Sequence, residues 1–471
     1  MKASAKGVLQ KMLYSVTANL TSLAISIILS LIVPKLLGIE QYGYWQLYTF
    51  YVSYVGFFHF GWADGLYLRY GGKYYDELDK ALMHSQYWLL TFLEIFICIG
   101  IALIAFFFIR NSNKTIILIA TGINCILILP RTILQFLLQT TGKVKEYARN
   151  SIIERLLYAS LVLVFLFIGH QNYEFMLLAD IIAKTVAMIG IAWSCRDIVF
   201  TKGVKLSLSI GEGWRNISVG IQLLIANIAG MLIIGIVRFS IEQVWDVSTF
   251  GKVSFSLTIS NLVLTFISAV SIVIFPIIKR SDQSRLPVIY ETVGTLLSGV
   301  MVIFLVLYYP IKVFLTLWLP QYIDAISYFS ILFPLSLFEA RSSLLINTYL
   351  KALRKERAML WLNGFSVGLS LVVTGITVFW LKNLTLAIIS IIFLQAVRCF
   401  VPDLFLQKEM GMKYSYEVLW DILVTIVFIA CNWFVGGLQG WIIYIVIIGC
   451  VGFIRRMEFI NYLNIVKGVV M

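Results

Sequence analysis

Charge is what this 471-residue sequence has least of: only 13% of its residues are Asp, Glu, Lys or Arg. An ordinary soluble domain carries about 25%. A water-facing surface cannot be built from so few, so soluble cytosolic, fibrous and disordered classes are excluded together. Histidine is scarcer still. His59, His84 and His170 are scattered along the chain and make no metal or catalytic-triad spacing. The six cysteines (Cys98, Cys125, Cys195, Cys399, Cys431, Cys450) lie in or at the ends of apolar runs without paired spacing, which excludes a zinc module and leaves them as small hydrophobes. Long polar connections are missing too. The longest, 196–215, leaves no room for a soluble catalytic or receptor domain, so no enzyme is expected. Acidic residues number 24 against 37 basic ones, a formal charge of +13. With no soluble domain to carry a basic face, nucleic acid is not the partner.

What is abundant is apolar: 60% of the residues are hydrophobic and the mean hydropathy is +0.91. The solvent is therefore lipid, and the expected fold is all-α and polytopic. At about 20 residues per crossing, the apolar runs read as fourteen spans: 12–33, 44–63, 82–108, 115–138, 151–169, 174–195, 216–237, 248–276, 288–309, 324–350, 360–380, 384–405, 418–435 and 441–454. The first is long and studded with Ser, Thr and Asn, so it reads as a retained helix rather than a leader. Counting Lys and Arg by side places 25 of 37 on the side of the termini and six on the other. The positive-inside rule then sets both termini in the cytoplasm and favours an even number of helices.

The chain repeats itself weakly. Ile39-Glu40-Gln41 returns as Ile241-Glu242-Gln243, Pro130 as Pro334, and Lys145-Glu146-Tyr147-Ala148 as Lys355-Glu356-Arg357-Ala358. An even number of helices per copy relates the copies by an axis along the membrane normal. The expected organisation is a six-helix lobe over 1–195, a second over 196–405, and two further helices with a tail over 406–471. A cavity is expected between the lobes.

Several spans carry polar stripes at helical spacing: Ser15, Asn19, Ser22, Ser26 and Ser30; Ser254, Thr258, Asn261, Thr265, Ser268 and Ser271; Asn363, Ser366, Ser370, Thr374 and Thr377. Such stripes either line water or let helices approach closely, and the first two are expected to flank the cavity. Tyr44, Tyr48, Tyr51 and Tyr54 form another stripe, an interfacial belt or a platform for sugar rings.

Six basic residues remain inside spans. Arg155 is close enough to its helix end to snorkel, which leaves Arg131, Lys184, Lys252, Arg341 and Arg398. A charge at mid-span costs about 2.5–3.5 kcal/mol on insertion scales, so each needs a cavity or a partner. Asp180 and Lys184 are one helical turn apart and can pair. Glu339 and Arg341 point about 200° apart at 100° per residue, so Arg341 must find its partner on another helix. The acids counted near mid-span, Glu94, Asp180 and Glu339, are fewer than the bases. The expected cavity is therefore cationic and suited to an anionic headgroup. Arg131, Arg341, Arg398, Lys184 and Lys252 are the candidate substrate contacts, with structural pairing as the alternative for each. Asp180, Glu339 and Glu94 are the candidates for a coupling proton or Na⁺; no other cofactor and no metal site is expected.

Three segments carry a resemblance: Leu36-Leu37-Gly38-Ile39-Glu40-Gln41-Tyr42-Gly43-Tyr44, Phe60-Gly61-Trp62-Ala63-Asp64-Gly65-Leu66-Tyr67-Leu68-Arg69-Tyr70, and Leu138-Gln139-Thr140-Thr141-Gly142-Lys143. With these the chain resembles the polysaccharide flippases of the multidrug/oligosaccharidyl-lipid/polysaccharide exporter superfamily. That resemblance implies two six-helix bundles in a V, with two extra helices, in the cytoplasmic membrane. It implies an oligosaccharide on undecaprenyl diphosphate as cargo, as in O-antigen synthesis, turned from the inner to the outer leaflet; with a cavity between two lobes, the expected mechanism is ion-coupled alternating access. A polysaccharide polymerase and chain-length machinery are its implied partners. The alternatives are a multidrug exporter or a lipid II flippase of the same superfamily.

Overall fold

The computed structural model describes residues 5–201, 210–262 and 285–456, with side chains described from residue 21. Helices and connecting turns account for the described residues, with no strand among them. In lipid a helix satisfies its own backbone, whereas an open sheet edge would leave N–H and C=O groups without partners.

The helices are, in order, α1 (Ala5–Leu36), α2 (Ile39–Ser53), α3 (Trp62–Tyr70), α4 (Lys80–Phe108), α5 (Ser112–Thr140), α6 (Val144–Ile168), α7 (Tyr173–Ser194), α8 (Arg196–Val199) and α9 (Ile210–Val244). They continue as α10 (247–262, to the end of the described stretch), α11 (Leu286–Leu305), α12 (Tyr308–Trp318) and α13 (Ile323–Leu332). The last five are α14 (Leu335–Ala352), α15 (Arg357–Trp380), α16 (Leu384–Glu409), α17 (Glu417–Val435) and α18 (Gly437–Ile454).

Ten of these segments are long and apolar enough to cross a membrane, or eleven if the bent pair Pro320–Leu332 and Leu335–Ala352 is one span. The chain is a multi-pass membrane protein. The difference from fourteen has local causes. The expected span 44–63 is broken: α2 ends at Ser53, a 3₁₀ turn covers Val55–His59, and Phe60 and Gly61 take φ of 51° and 85° before α3 starts. Of the first helix, only Thr21–Leu36 counts among the described apolar helices, and 248–276 runs beyond the described residues after 262. The expected span 324–350 bends by 50° next to Pro334, whose missing N–H and ring interrupt the helical ladder. Its counterpart Pro130 sits inside an unbroken α5.

By contacts the chain divides into two compact units, Met1–Ile228 and Ala229–Met471, with the border inside α9. The sequence reading set its borders at 195/196 and 405/406. In the first unit α5 is the hub: 56% of its most apolar window is buried, against 22% for α4 and 17% for α6. It packs on α4, α7, α3 and α2, with Leu129, Ile133 and Leu137 set against Trp62, Leu66, Tyr87 and Leu90. In the second unit the hub is α16, packed on α13, α14, α15 and α17.

Within the first unit α3 crosses the beginning of α9 at backbone contact. A Cβ on Gly65 would lie 1.9 Å from the carbonyl oxygen of Asn216, and one on Gly220 would lie 2.0 Å from that of Gly61. Small residues are what permit such an approach. Asn216 then reaches both neighbours, accepting from Arg69 Nη1 at 2.5 Å and donating to Gln86 Oε1 at 3.1 Å. Gly65→Ala is expected to destabilise the protein by more than about 2 kcal/mol, because the atoms it meets are backbone and cannot swing away. Gly38→Ala, with nothing within 4 Å of the new methyl, is the control and is expected to stay within about 0.5 kcal/mol. Thermal unfolding of the two detergent-purified variants checks this; equal midpoints would refute the close crossing.

Candidate functional site: paired charges within the helical units

Each unit holds buried polar networks on facing helices. In the first, Lys184 on α7 donates to Asp180 Oδ2 at 2.5 Å and to Asn124 Oδ1 of α5 at 2.7 Å. Tyr48 of α2 donates to the same Asp180 oxygen at 2.5 Å and accepts from Asn124 Nδ2 at 2.8 Å. The four side chains close a ring of hydrogen bonds across three helices. Tyr48 is therefore buried structure, not part of an interfacial belt, and Tyr44 is likewise buried against the ring of Tyr173. The sequence showed the spacing of this stripe, but not which helix would cover it.

Arg131, one residue beyond Pro130 on α5, is buried and pairs through Nη1 with Glu154 Oε2 of α6 at 2.9 Å. Its Nε makes no hydrogen bond, and Nη1 makes none beyond the ion pair. Glu94 stands alone. It is fully buried on α4, and neither carboxylate oxygen has a hydrogen-bond partner.

In the second unit Arg341 is 2% exposed. Its Nε donates to Asp421 Oδ2 of α17 at 2.6 Å, and its Nη2 donates to Ser298 Oγ of α11 at 2.5 Å. The partner does lie on another helix. Arg341 also opens a π-helical turn, Arg341–Ile346, so the regular 100° period does not carry through that stretch. Beside it, Asp403 of α16 accepts from Tyr290 Oη at 2.5 Å and from Gln407 Nε2 at 2.6 Å. Glu339 instead accepts from Gln395 Nε2 at 2.8 Å and pairs with Arg398 at 3.4 Å. The guanidinium of Arg398 occupies the space that a side chain at Gly230 would need, 2.6 Å from its virtual Cβ, and its Nε makes no hydrogen bond. Lys252 pairs with Asp324 at 2.7 Å near the helix ends, where the Asp324 side chain is 65% exposed.

Of the candidate residues, then, the structure brings Asp180 to Lys184 and Glu339 to Arg398. It gives Arg131, Arg341 and Lys252 partners that the sequence reading did not name, Glu154, Asp421 and Asp324. The positive surplus expected from counting mid-span charges is thereby corrected: each of the five bases has a carboxylate within 3.4 Å. Glu154, Asp403 and Asp421 lie near the ends of their sequence-read spans, where a charge can reach water. In the fold they are drawn inward instead, and Asp403 and Asp421 are among the most buried polar groups. Their presence inside helices that read as apolar was the available signal.

The stripes are buried unevenly. Ser30, Ser254, Asn363, Ser366, Ser370 and Thr374 are buried, and Ser370 donates to the carbonyl of Ile233 at 2.8 Å, whereas Ser22, Ser26, Thr258 and Thr377 are half-buried and Asn261 is exposed. Thr265, Ser268 and Ser271 lie outside the described residues, as do the side chains of Ser15 and Asn19. Beyond the spans, Asp197 feels opposing effects. Burial resists its ionisation, but hydrogen bonds from Tyr75 and Lys80 outweigh it and hold the carboxyl below its ordinary range.

No family model matches the chain, and no curated protein matches it. Solved structures do. An inward-facing multidrug resistance MATE family transporter of the MOP superfamily superposes with a TM-score of 0.55 at 15% identity, over 84% of this chain and 94% of that one. The fold is shared. The outward-facing conformation of a multidrug resistance MATE family transporter gives 0.49 at 14% identity over 86% and 96%. A MOP superfamily transporter from Pyrococcus furiosus gives 0.48 at 14% over 85% and 95%. At such identities the likeness concerns helix arrangement, not the side chains that meet a cargo.

The pairs differ in what their loss should cost. Asp421→Ala removes the hydrogen-bonded carboxylate of a guanidinium with almost no access to solvent, leaving Asp403 nearby without a direct contact, and is expected to cost about 3 kcal/mol. Asp324→Ala removes an exposed partner and is expected to cost less than about 1 kcal/mol. Unfolding midpoints and the yield of monodisperse protein measure the contrast; a costless Asp421→Ala would show that the Arg341 pair is not closed.

Proposed function

We propose that this chain is a transporter working by alternating access, and that its cargo is an oligosaccharide carried on undecaprenyl diphosphate, flipped across the cytoplasmic membrane during polysaccharide synthesis. Both termini then lie in the cytoplasm. Transport is supported by the fold shared with a MATE family transporter and by the scarcity of extramembrane chain. The cargo is supported by the segments that resemble polysaccharide flippases and by one structural observation: Arg131, buried, and Arg398, half-buried, are held by carboxylates, yet keep guanidinium N–H groups that donate to nothing. Spare, oriented donors in a low-dielectric setting are what a diphosphate oxygen accepts from. The carboxylates hold the charge in place while the lipid-linked anion is absent, and the tail of such a cargo can stay in lipid.

A second reading, multidrug export, draws on the pairing of every candidate base with an acid, which removes the bias against cationic compounds. The MATE family neighbour is itself described as a multidrug resistance transporter.

Arg131→Ala is expected to abolish surface glycan export in cells that depend on this chain while the protein stays in the membrane. Arg131→Lys, which retains the charge but loses the fork, is expected to restore only part of it. Normal export in Arg131→Ala removes the assignment of that residue. Unchanged glycan together with drug hypersensitivity in a strain lacking the chain moves the cargo to the second reading.

A further inference from the structure

Free positive charge gathers at one end of the second unit. The end of α14 and the turn after it carry Lys351, Arg354, Lys355 and Arg357, and the α16–α17 connection carries Lys408 and Lys413. Since α15 and α16 run out and back between them, the two connections share one side of the membrane. Lys355 Nζ meets Glu409 Oε1 across the gap at 2.5 Å. That pair uses up Glu409, and the next acid along, Glu417, is taken by Arg455 at 2.5 Å. Lys351, Arg354, Arg357, Lys408 and Lys413 are exposed, and none of them pairs with an acid among the described residues.

The corresponding end of the first unit is different. There Lys80 is held by Asp197 at 3.2 Å and Arg69 by Glu212 at 2.6 Å. Lys143 and Lys73 lie over the rings of Tyr75 and Tyr70, at 3.7 and 5.0 Å from their centroids. Lys145 and Arg149 are exposed, but Asp76, Glu77 and Asp79 stand on the same side. In the weak repeat, Tyr147 occupies the position that Arg357 takes in the second unit. The positive-inside rule acts on both units alike, so it does not explain a surplus gathered in one of them. Aromatic side chains fix the depth of this surplus. Trp361, one turn beyond Arg357, is 82% exposed, and Tyr414 and Tyr416, beside Lys413, are 66% and 72% exposed. Indole and phenol rings settle at headgroup level, which sets the neighbouring cations at the depth of lipid phosphates.

We propose that this surface binds an anionic phospholipid. Its headgroup phosphate lies among Arg354, Arg357, Lys408 and Lys413, and its acyl chains run along the exposed side of α15 past Trp361 and Phe365. The neutral Lys355–Glu409 pair draws the two banks of cations together. Guanidinium groups give phosphate oxygens forked donors, and the lysines add point charge. Basic clusters beside a membrane span attract anionic headgroups in this way. The occupant is a membrane lipid rather than a soluble phosphate, because the cations continue directly into exposed aromatic and apolar side chains of α15. The proposal stands apart from the cargo and from the transport reading.

The test uses the purified full-length protein in neutral detergent micelles containing phosphatidylglycerol or, at the same mole fraction, phosphatidylcholine. The wild-type unfolding midpoint is expected to stand several degrees higher with phosphatidylglycerol, and the difference is expected to shrink in high salt. Inorganic phosphate at the same concentration is expected to leave the midpoint unchanged. Arg354→Gln/Arg357→Gln/Lys408→Gln/Lys413→Gln alters exposed positions only. It is expected to match the wild type in phosphatidylcholine and to lose most of the phosphatidylglycerol response. The two double variants, Arg354→Gln/Arg357→Gln and Lys408→Gln/Lys413→Gln, are each expected to lose part of it, and they decide the matter if the fourfold variant does not fold. Lys145→Gln/Arg149→Gln in the first unit is expected to keep the full response. Equal midpoints in the two lipids, a full response in the fourfold or in both double variants, or an equal loss in the first-unit control overturns the proposal. A shift reproduced by inorganic phosphate overturns the choice of a lipid.

Discussion

Inside a membrane there is no water to hydrate a charge, so a buried basic side chain must be matched by the protein itself. The pairs Lys184–Asp180, Arg131–Glu154, Arg398–Glu339 and Arg341–Asp421 are local solutions to that demand. Each joins two turns of a helix or two helices, so each also fixes how neighbouring helices are set against one another. The networks are small because each added member must find its own partner. The matching is incomplete at the guanidinium N–H groups of Arg131 and Arg398 and at the Glu94 carboxyl, which make no hydrogen bond.

Among the described residues helices are interrupted or widened at Phe60–Gly61 between α2 and α3, next to Pro334, and in the π-helical turns of α14, α15 and α17. The turn that starts at Arg341 coincides with the most buried ion pair in the second unit. A widened turn shifts the following residues around the helix, and Arg341 stands where that shift begins. Asp421, on a helix that reads from sequence as an appendage, supplies the countercharge to a residue of α14. Residues 417–435 thus belong to the charge network of the second unit.

Much of the architecture is legible without coordinates. Ten of the expected spans stand as long apolar helices, because twenty successive apolar residues have one stable solution in lipid. The broken second span was hidden, since Val55–Gly61 is as apolar as a helix and only its left-handed backbone at Phe60 and Gly61 betrays it. The pairing of Asp180 with Lys184 was legible because it is local, four residues on one helix. The partner of Arg341 was legible only as a requirement for another helix, without a name.

What the sequence determined by itself is therefore the solvent, the helices and the list of charges that lipid will not tolerate; composition and periodicity suffice, since both act along the chain. Only the tertiary structure decided which charges cancel. Glu154, Asp421 and Asp324 are far in sequence from the bases they neutralise, and a Coulomb energy depends on a distance of a few ångströms in space rather than on position along the chain. A count of charges that looked cationic became a set of matched pairs, with Glu94 and Asp403 as buried carboxyls outside any of them. That sign was settled by helix packing alone.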